Sequence, residues 1–178
     1  MLTLFIIILS VLVILVIAIG LQPAGFTVAR SATMAAPAAA VFGQVNDFRK
    51  WADWSPYEKL DPTMHRTYDG PPAGAGASMT WSGNRHAGAG RVTITASRPG
   101  ERIDIRLEMF KPFAADNPVE FAFRSESGGT VVTWRMSGRK NFATKALHLV
   151  LSMDRMLGGN MEEGLAKLKT VAEAAARR

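Results

Sequence analysis

The chain opens on a long apolar stretch and then changes period. Leu2 to Ile19 is a run of 18 residues interrupted only by Thr3 and Ser10. As a helix it would span about 27 Å, close to the roughly 30 Å hydrocarbon core of a bilayer. It has no polar face, which separates it from a buried core helix. No Lys or Arg precedes it, and it is long for a secretory leader, so the pattern predicts an anchor that stays attached. Gly20 to Gly25, with Pro23 inside, reads as the exit from that helix, and a cleavage region would fall at Pro23-Ala24-Gly25. The expected organisation is an anchor over 1–21, a linker over 22–25 and one domain over 26–178.

From Phe26 the pattern alternates. Phe26 to Met34 predicts a first strand, although Arg30 falls on its apolar parity. Pro37 to Val45 predicts a short helix, with Pro37 suited to its first turn. Asp47 to Trp54 predicts a second short helix or turn, halted before Pro56. Strands follow at His65 to Tyr68, Ala77 to Ser82, Arg91 to Ser97, Arg102 to Met109, Val119 to Arg124 and Thr130 to Ser137. In the third of these Val92, Ile94 and Ala96 oppose Arg91, Thr93, Thr95 and Ser97. Period-2 patterns of this kind mean an antiparallel sheet with one buried and one solvated face. Arg98-Pro99-Gly100 and Ser127-Gly128-Gly129 suit hairpin turns.

The buried face needs a cover, and the C-terminus supplies one. Met161, Leu165, Leu168, Ala172 and Ala175 recur at spacings of four, three, four and three, the signature of an amphipathic helix over Asn160 to Ala176. A helical stretch at Thr144 to Leu157 precedes it, with a break expected at Gly158-Gly159.

Composition narrows the chemistry. There is no cysteine, which excludes thiol catalysis, Cys-ligated zinc, iron–sulfur clusters and disulfides. His65, His86 and His148 are isolated, no Gly-x-Ser-x-Gly elbow occurs, and the glycines of 70–76 and 83–90 lack phosphate-cradling spacing. No metal, cofactor or catalytic residue is therefore assigned. Asp104 and Glu108 fall on a solvated parity, while Asp154 could pair with Arg155 or a strand arginine. Lys and Arg number 21 against 15 Asp and Glu, a net charge of +6. The arginines are scattered over the sheet's outer parity rather than interleaved with aromatics. That argues against nucleic acid and for a basic domain beside an anionic membrane surface. The first cation after the apolar run is Arg30, which tilts the positive-inside rule toward a single-pass cell-membrane protein with a cytoplasmic domain.

Several stretches also carry a family resemblance. They are Arg30-Ser31, Ala36-Pro37-Ala38, Val41-Phe42, DFRKWADWSPYEKLDP at Asp47 to Pro62, TYDGPPAGAGASMTWSGN at Thr67 to Asn84, Lys111-Pro112-Phe113, TVVTWRMSG at Thr130 to Gly138, MDRMLG at Met153 to Gly158 and GLAKLK at Gly164 to Lys169. Together they resemble the START-like (SRPBCC) superfamily, in its bacterial polyketide cyclase/dehydrase and lipid transport branch, over about residues 26–176. The resemblance implies an α+β helix-grip fold, a curved antiparallel sheet wrapped around a long C-terminal helix, here preceded by one transmembrane helix. It also implies a cavity between sheet and helix that accepts an apolar guest, without implying a shared reaction.

Parity and the resemblance together name the lining expected of that cavity: Met79, Trp81, Ile94, Ile105, Leu107, Met109, Phe121, Phe123, Trp134 and Met136 from the strands, and Met153, Met161 and Leu165 from the helical region. Met156 is expected on the same apolar side. Methionines adapt to irregular guests, though the same residues also serve as core filler. Trp51 and Trp54, three apart, share a face and are expected to pack as a lid or end-plug. Three functions stay open: a membrane-anchored module binding a lipid or other apolar small molecule, a cyclase- or dehydratase-type enzyme using the same cavity, and an interaction domain without a ligand.

Overall fold

The alternating segments pair edge to edge into one antiparallel sheet. In the computed structural model, which describes residues 1–140, 142–147 and 153–177, the strands are β1 (Gly25–Met34), β2 (His65–Asp69), β3 (Ser78–Ser82), β4 (Ala89–Arg98), β5 (Arg102–Lys111), β6 (Ala115–Glu126) and β7 (Gly129–Arg139). Their spatial order is β1-β7-β6-β5-β4-β3-β2, a meander with the first strand added beside the last. Helix α1 (Leu2–Leu21) precedes the sheet, and α2 (Ala38–Val45) with a 3₁₀ turn at Phe48–Asp53 lies between β1 and β2. Helices α3 (Phe142–Leu147) and α4 (Met153–Ala175) follow β7. This is the α+β helix-grip architecture, with α4 held against the concave face.

The register gives the sheet two distinct ends. Gly25 pairs with Arg139, Met109 with Ala115, Ala89 with Lys111 and His65 with Ser82, so these residues gather at the end where α1 joins the sheet. Met34 pairs with Thr130 and Arg98 with Arg102 at the far end. Helix α4 runs in the same sense as β1: its first turns meet Arg30 in mid-strand, and Glu173 near its end accepts a hydrogen bond from the Ala35 N–H at 2.7 Å.

Of the amphipathic stripe Met161, Leu165, Leu168 and Ala172 are buried, while Ala175, the last residue of α4, is exposed because the helix ends there beyond the edge of the core. Two expectations are corrected. The glycine pair at 158–159 does not break the chain's helix, because α4 runs continuously from Met153. The reason is Arg30. Although it sits on the inward parity of β1, its guanidinium is not stranded. It donates to both Asp154 carboxylate oxygens at 2.9 Å and, through Nε, to Glu162 Oε1 at 2.6 Å. A Cβ on residue 158 would collide with that guanidinium, so glycine here opens a passage over the helix rather than ending it. Asp154 thus finds its strand arginine. The expected helix over Thr144 to Leu157 is observed only as α3 and the start of α4; residues 148–152, His148 among them, lie outside the described residues.

The second correction concerns β4. The ladder to β5 shifts register between Ile94 and Ala96, so Ala96 pairs with Asp104 and Ser97 with Ile103. This bulge reverses parity beyond Ile94. Ser97, expected outward, turns in and donates to Asn46 Oδ1 at 2.7 Å. A sequence pattern of strict period 2 does not see one inserted residue.

Candidate functional site

The concave face is built in two grades. Its middle is closed by an aromatic cluster. Trp51 and Trp54 reach in from the 3₁₀ turn and the residue after it, and their indole N–H groups donate to Val45 O at 2.9 Å and Gln44 O at 3.2 Å. Those carbonyls belong to the last turn of α2, which has no intrahelical donors left for them. Trp54 lies 6.0 Å from Phe121 and 6.0 Å from Trp134, and Phe121 stacks on Trp134 at 4.9 Å. The expectation that Trp51 and Trp54 plug the grip is what this packing shows. Edge-to-face and offset pairs of this kind add about 0.5–1.5 kcal/mol each beyond area burial.

Every described member of the expected lining sits on the concave face or on α4, but not all in one environment. Met79, Ile94, Ile105, Phe121, Phe123, Trp134, Met136, Met161 and Leu165 are buried. Ile94, Phe121 and Met161 are 0 % exposed, so they border no void that a water could enter. Trp81, Leu107 and Met109 remain half-exposed, all toward the α1 end of the sheet. The side chain of Met153 lies outside the described residues. Met156, expected on the apolar side, is instead exposed in the second turn of α4, because the stripe that faces the sheet runs through Leu157 and Met161.

The half-open end has its own polar fittings. Trp81 lies flat across Gly90 of the neighbouring strand, where a Cβ would strike the ring, and its N–H donates to Ala87 O at 3.0 Å. Its cross-strand partner is Arg66, which shares its face of the sheet. Arg66 forms an ion pair with Glu58, and both side chains are largely buried. Among the described residues two buried side-chain donors have no acceptor: Arg66 Nε and the indole N–H of Trp134. Trp134 is among the lining residues expected from the sequence; Arg66 and Glu58 carry no signal, because their proximity depends on the β2–β3 register and the chain path through 58–64.

Titration is perturbed mostly outside the grip. The Arg30 guanidinium holds the Asp154 carboxyl below its usual range, Arg106 does so for Asp116, and Lys59 with Lys167 for Glu163. Asp61 is lowered by the Thr63 hydroxyl and by the Asn84 N–H, which together tie the 3₁₀ region to the β3–β4 turn. Burial pushes the Tyr57 phenol up to about 12, so it stays neutral near pH 7. A depression of about 400 Å³ on the convex face is lined by Arg102, Arg106, Arg135, Asp104, Asp116 and Glu120. These neutralise one another in ion pairs, so it is a solvated charge ladder rather than a site.

Comparisons with known proteins bear on the architecture and the family. The chain is similar to protein CV1439 from Chromobacterium violaceum, at 15% identity and a TM-score of 0.60, over 83% of this chain and 96% of that one. It is similar to the di-domain ARO/CYC StfQ from the steffimycin biosynthetic pathway, at 13% identity and a TM-score of 0.62, over 87% of this chain and 53% of that one. It is also similar to Ara h 8.0201, at 12% identity and a TM-score of 0.54, over 85% of this chain and 97% of that one. At such identities the likeness is one of fold. No curated protein is significantly similar in sequence. The family model described as polyketide cyclase / dehydrase and lipid transport matches residues 25–173. With its seven-stranded grip and closing helix, the chain belongs to that family.

Proposed function

We propose that this protein is a single-pass, membrane-anchored binding module that takes a lipid or other apolar small molecule between sheet and α4. One observation carries the reading. Of the apolar strand residues expected to line the grip, Met79, Ile94, Ile105, Phe121, Phe123, Trp134 and Met136 are buried, while Trp81, Leu107 and Met109, toward the α1 end, stay half-open. Apolar surface left open at the mouth of a grip is surface a guest can cover, at roughly 25 cal/mol per Å² before ordering costs. Helix α1, 20 residues long, uncharged and apolar but for Thr3 and Ser10, is of the length that crosses a bilayer. The rest of the lining, from Met79 to Leu165, forms the floor and becomes accessible only if the aromatic cluster yields.

A second reading has its own support. The largely buried Glu58–Arg66 pair beside Trp81 is a polar device on the guest-facing side, as a cyclase- or dehydratase-type enzyme would need. The test is to purify the full chain in lipid nanodiscs and identify the co-purifying small molecules by mass spectrometry, then titrate the best class against tryptophan fluorescence. The binding module predicts saturable binding that Met109→Trp weakens and Glu58→Gln leaves nearly intact. Turnover of the bound compound that Glu58→Gln abolishes would favour the enzyme. If no apolar class binds, the interaction domain without a ligand takes their place.

A further inference from the structure

Outside α1, the exposed large apolar side chains among the described residues are Leu60, Phe110, Phe113, Phe142 and Met156. Single exposed apolar residues are ordinary, but these are not scattered. Phe110 is the penultimate residue of β5, toward the α1 end, and Phe113, 79 % exposed, stands in the β5–β6 link beyond it. Phe142 opens α3, which packs against α1 and whose Lys145 donates to Gly20 O at 3.1 Å. Met156 is near the start of α4, and Leu60 receives the Asn84 side chain from the β3–β4 turn. All five therefore gather around the end of the sheet at which α1 enters. The turn at the far end between β6 and β7, Ser127-Gly128, is polar.

The same end also carries basic residues. On the convex face Arg102, Arg106, Arg124 and Arg135 each have a carboxylate partner. At the α1 end Lys111, Arg139 and Lys140 have none among the described residues. The tether between α1 and β1 is Gln22 to Ala24, which reaches about 10 Å when fully extended. If α1 is in a bilayer, this end of the domain cannot leave the headgroup region.

We propose that the rim formed by Phe110, Lys111, Phe113, Arg139, Lys140 and Phe142 is a bilayer-contact surface, its phenylalanines seated at the acyl–headgroup boundary and its cations on anionic phospholipid headgroups. This rests on the reading of α1 as a membrane anchor and goes beyond it: the half-open mouth at Leu107 and Met109 would face the membrane, so an apolar guest would pass between bilayer and grip without crossing water. Aromatic and cationic side chains together are what an interfacial surface requires. The short tether and the gathering of the exposed phenylalanines at the tethered end favour the bilayer as the occupant.

The chain has no cysteine, so single reporters are available in the full-length protein. Ser10→Cys, Ala114→Cys and Ser127→Cys are labelled with NBD and reconstituted into phosphatidylcholine/phosphatidylglycerol vesicles carrying nitroxide lipids. The expected result is strong quenching at 10 by deep nitroxides, and quenching at 114 by shallow nitroxides several-fold above that at 127. Phe110→Asp with Phe113→Asp should abolish the signal at 114 and leave that at 10. Lys111→Glu with Arg139→Glu should reduce the signal at 114 in anionic vesicles and change it little in pure phosphatidylcholine. Quenching at 10 with none at 114 above the level at 127 would overturn the proposal while leaving the anchor in place. No quenching at 10 would remove the anchor and the proposal with it. A label at 114 shielded from water but untouched by nitroxide lipid, and cross-linking to a second copy, would show the rim to be a protein interface and overturn the proposal too.

Discussion

The two halves of the concave face share a sheet, a parity and a residue vocabulary, yet they are in different states. Toward the middle and far end, Ile94, Ile103, Phe121 and Val132 belong to one buried core with Met161, Leu165 and Leu168. Toward the α1 end, Leu107, Met109 and Trp81 continue the same strands and remain half-open. The difference does not come from strand chemistry. It comes from what lies beside each half: Trp51 and Trp54, delivered by the 3₁₀ turn and the residue after it, pack on Phe121 and Trp134 in the first, whereas Trp81 in the second meets Ala87 and has Arg66 as its cross-strand partner. A closed core and a binding mouth can thus be written with one alphabet and separated by a plug.

The largest effects should be seen when the sealed half is truncated. Phe121→Ala removes the ring that stacks on Trp134 and meets both Trp51 and Trp54, and should cost about 3–5 kcal/mol. Leu165→Ala should cost about 2–5 kcal/mol, because the helix meets the sheet there without slack. Denaturant unfolding of the full chain in nanodiscs, followed by tryptophan emission, measures both. Leu107→Ala, at a half-open position, should cost only about 1 kcal/mol. Equal losses at Leu107 and Leu165 would erase the distinction between the halves.

Much of the fold was legible in the sequence, and the failures have physical causes. Alternation located the strands and identified Met79, Ile94, Ile105, Phe121, Phe123, Trp134 and Met136 as inward, all of them buried, because burial on one face imposes period 2. The stripe Met161-Leu165-Leu168-Ala172 located the closing helix for the same reason at period 3.6. Ser97 was missed because a bulge leaves no compositional trace. Gly158 was misread because a glycine that ends a helix and one that admits an arginine look alike until the partner strand is placed. The open and closed halves could not be told apart, since exposure of Leu107 depends on where the plug stops, and Arg66 with Glu58 depended on tertiary register alone.

Binding should invert the stability ranking. Leu107→Ala and Met109→Ala together should weaken an apolar ligand about tenfold, equivalent to about 1.4 kcal/mol, because they delete surface the guest covers. Ile94→Val, in the sealed half, should lower stability by about 1 kcal/mol and leave affinity unchanged. Fluorescence titration with the co-purified ligand class checks both. A ligand that ignores Leu107 and Met109 would place the guest elsewhere.

The tryptophans sharpen the comparison within the plug itself. Trp54 and Trp134 are both buried and 6.0 Å apart, but Trp54 gives its N–H to Gln44 O while Trp134 gives its N–H to nothing. Replacement by Phe removes a satisfied donor in one case and an unsatisfied one in the other. An unmade buried hydrogen bond costs about 1–3 kcal/mol, so Trp134→Phe should be the milder change by about 1 kcal/mol. Unfolding free energies of the two variants decide this. If Trp134→Phe is as damaging as Trp54→Phe, its N–H has a partner in solution, and loss of that difference only when ligand is added would identify the guest as that partner.

The smallest effect concerns how α4 is held at the mouth. Arg30 lowers the Asp154 carboxyl chiefly by hydrogen bonding and then by charge. A carboxylate whose folded value lies below its unfolded value, about 3.9 for aspartate, contributes stability that is fully present above the unfolded value. It is lost as pH falls through the folded one. The anchoring of α4 on β1 should therefore be constant from neutrality down to about pH 5 and should weaken in more acid solution. Asp154→Asn should flatten that acid limb without moving the plateau far, since the pair is solvent-exposed on its acidic side and Glu162 still holds Arg30. Unfolding midpoints measured from pH 7 to pH 3 check the shape. An acid limb unchanged in Asp154→Asn would mean that Asp61, Asp116 and Glu163, which are lowered in the same way by other partners, govern the acid response instead.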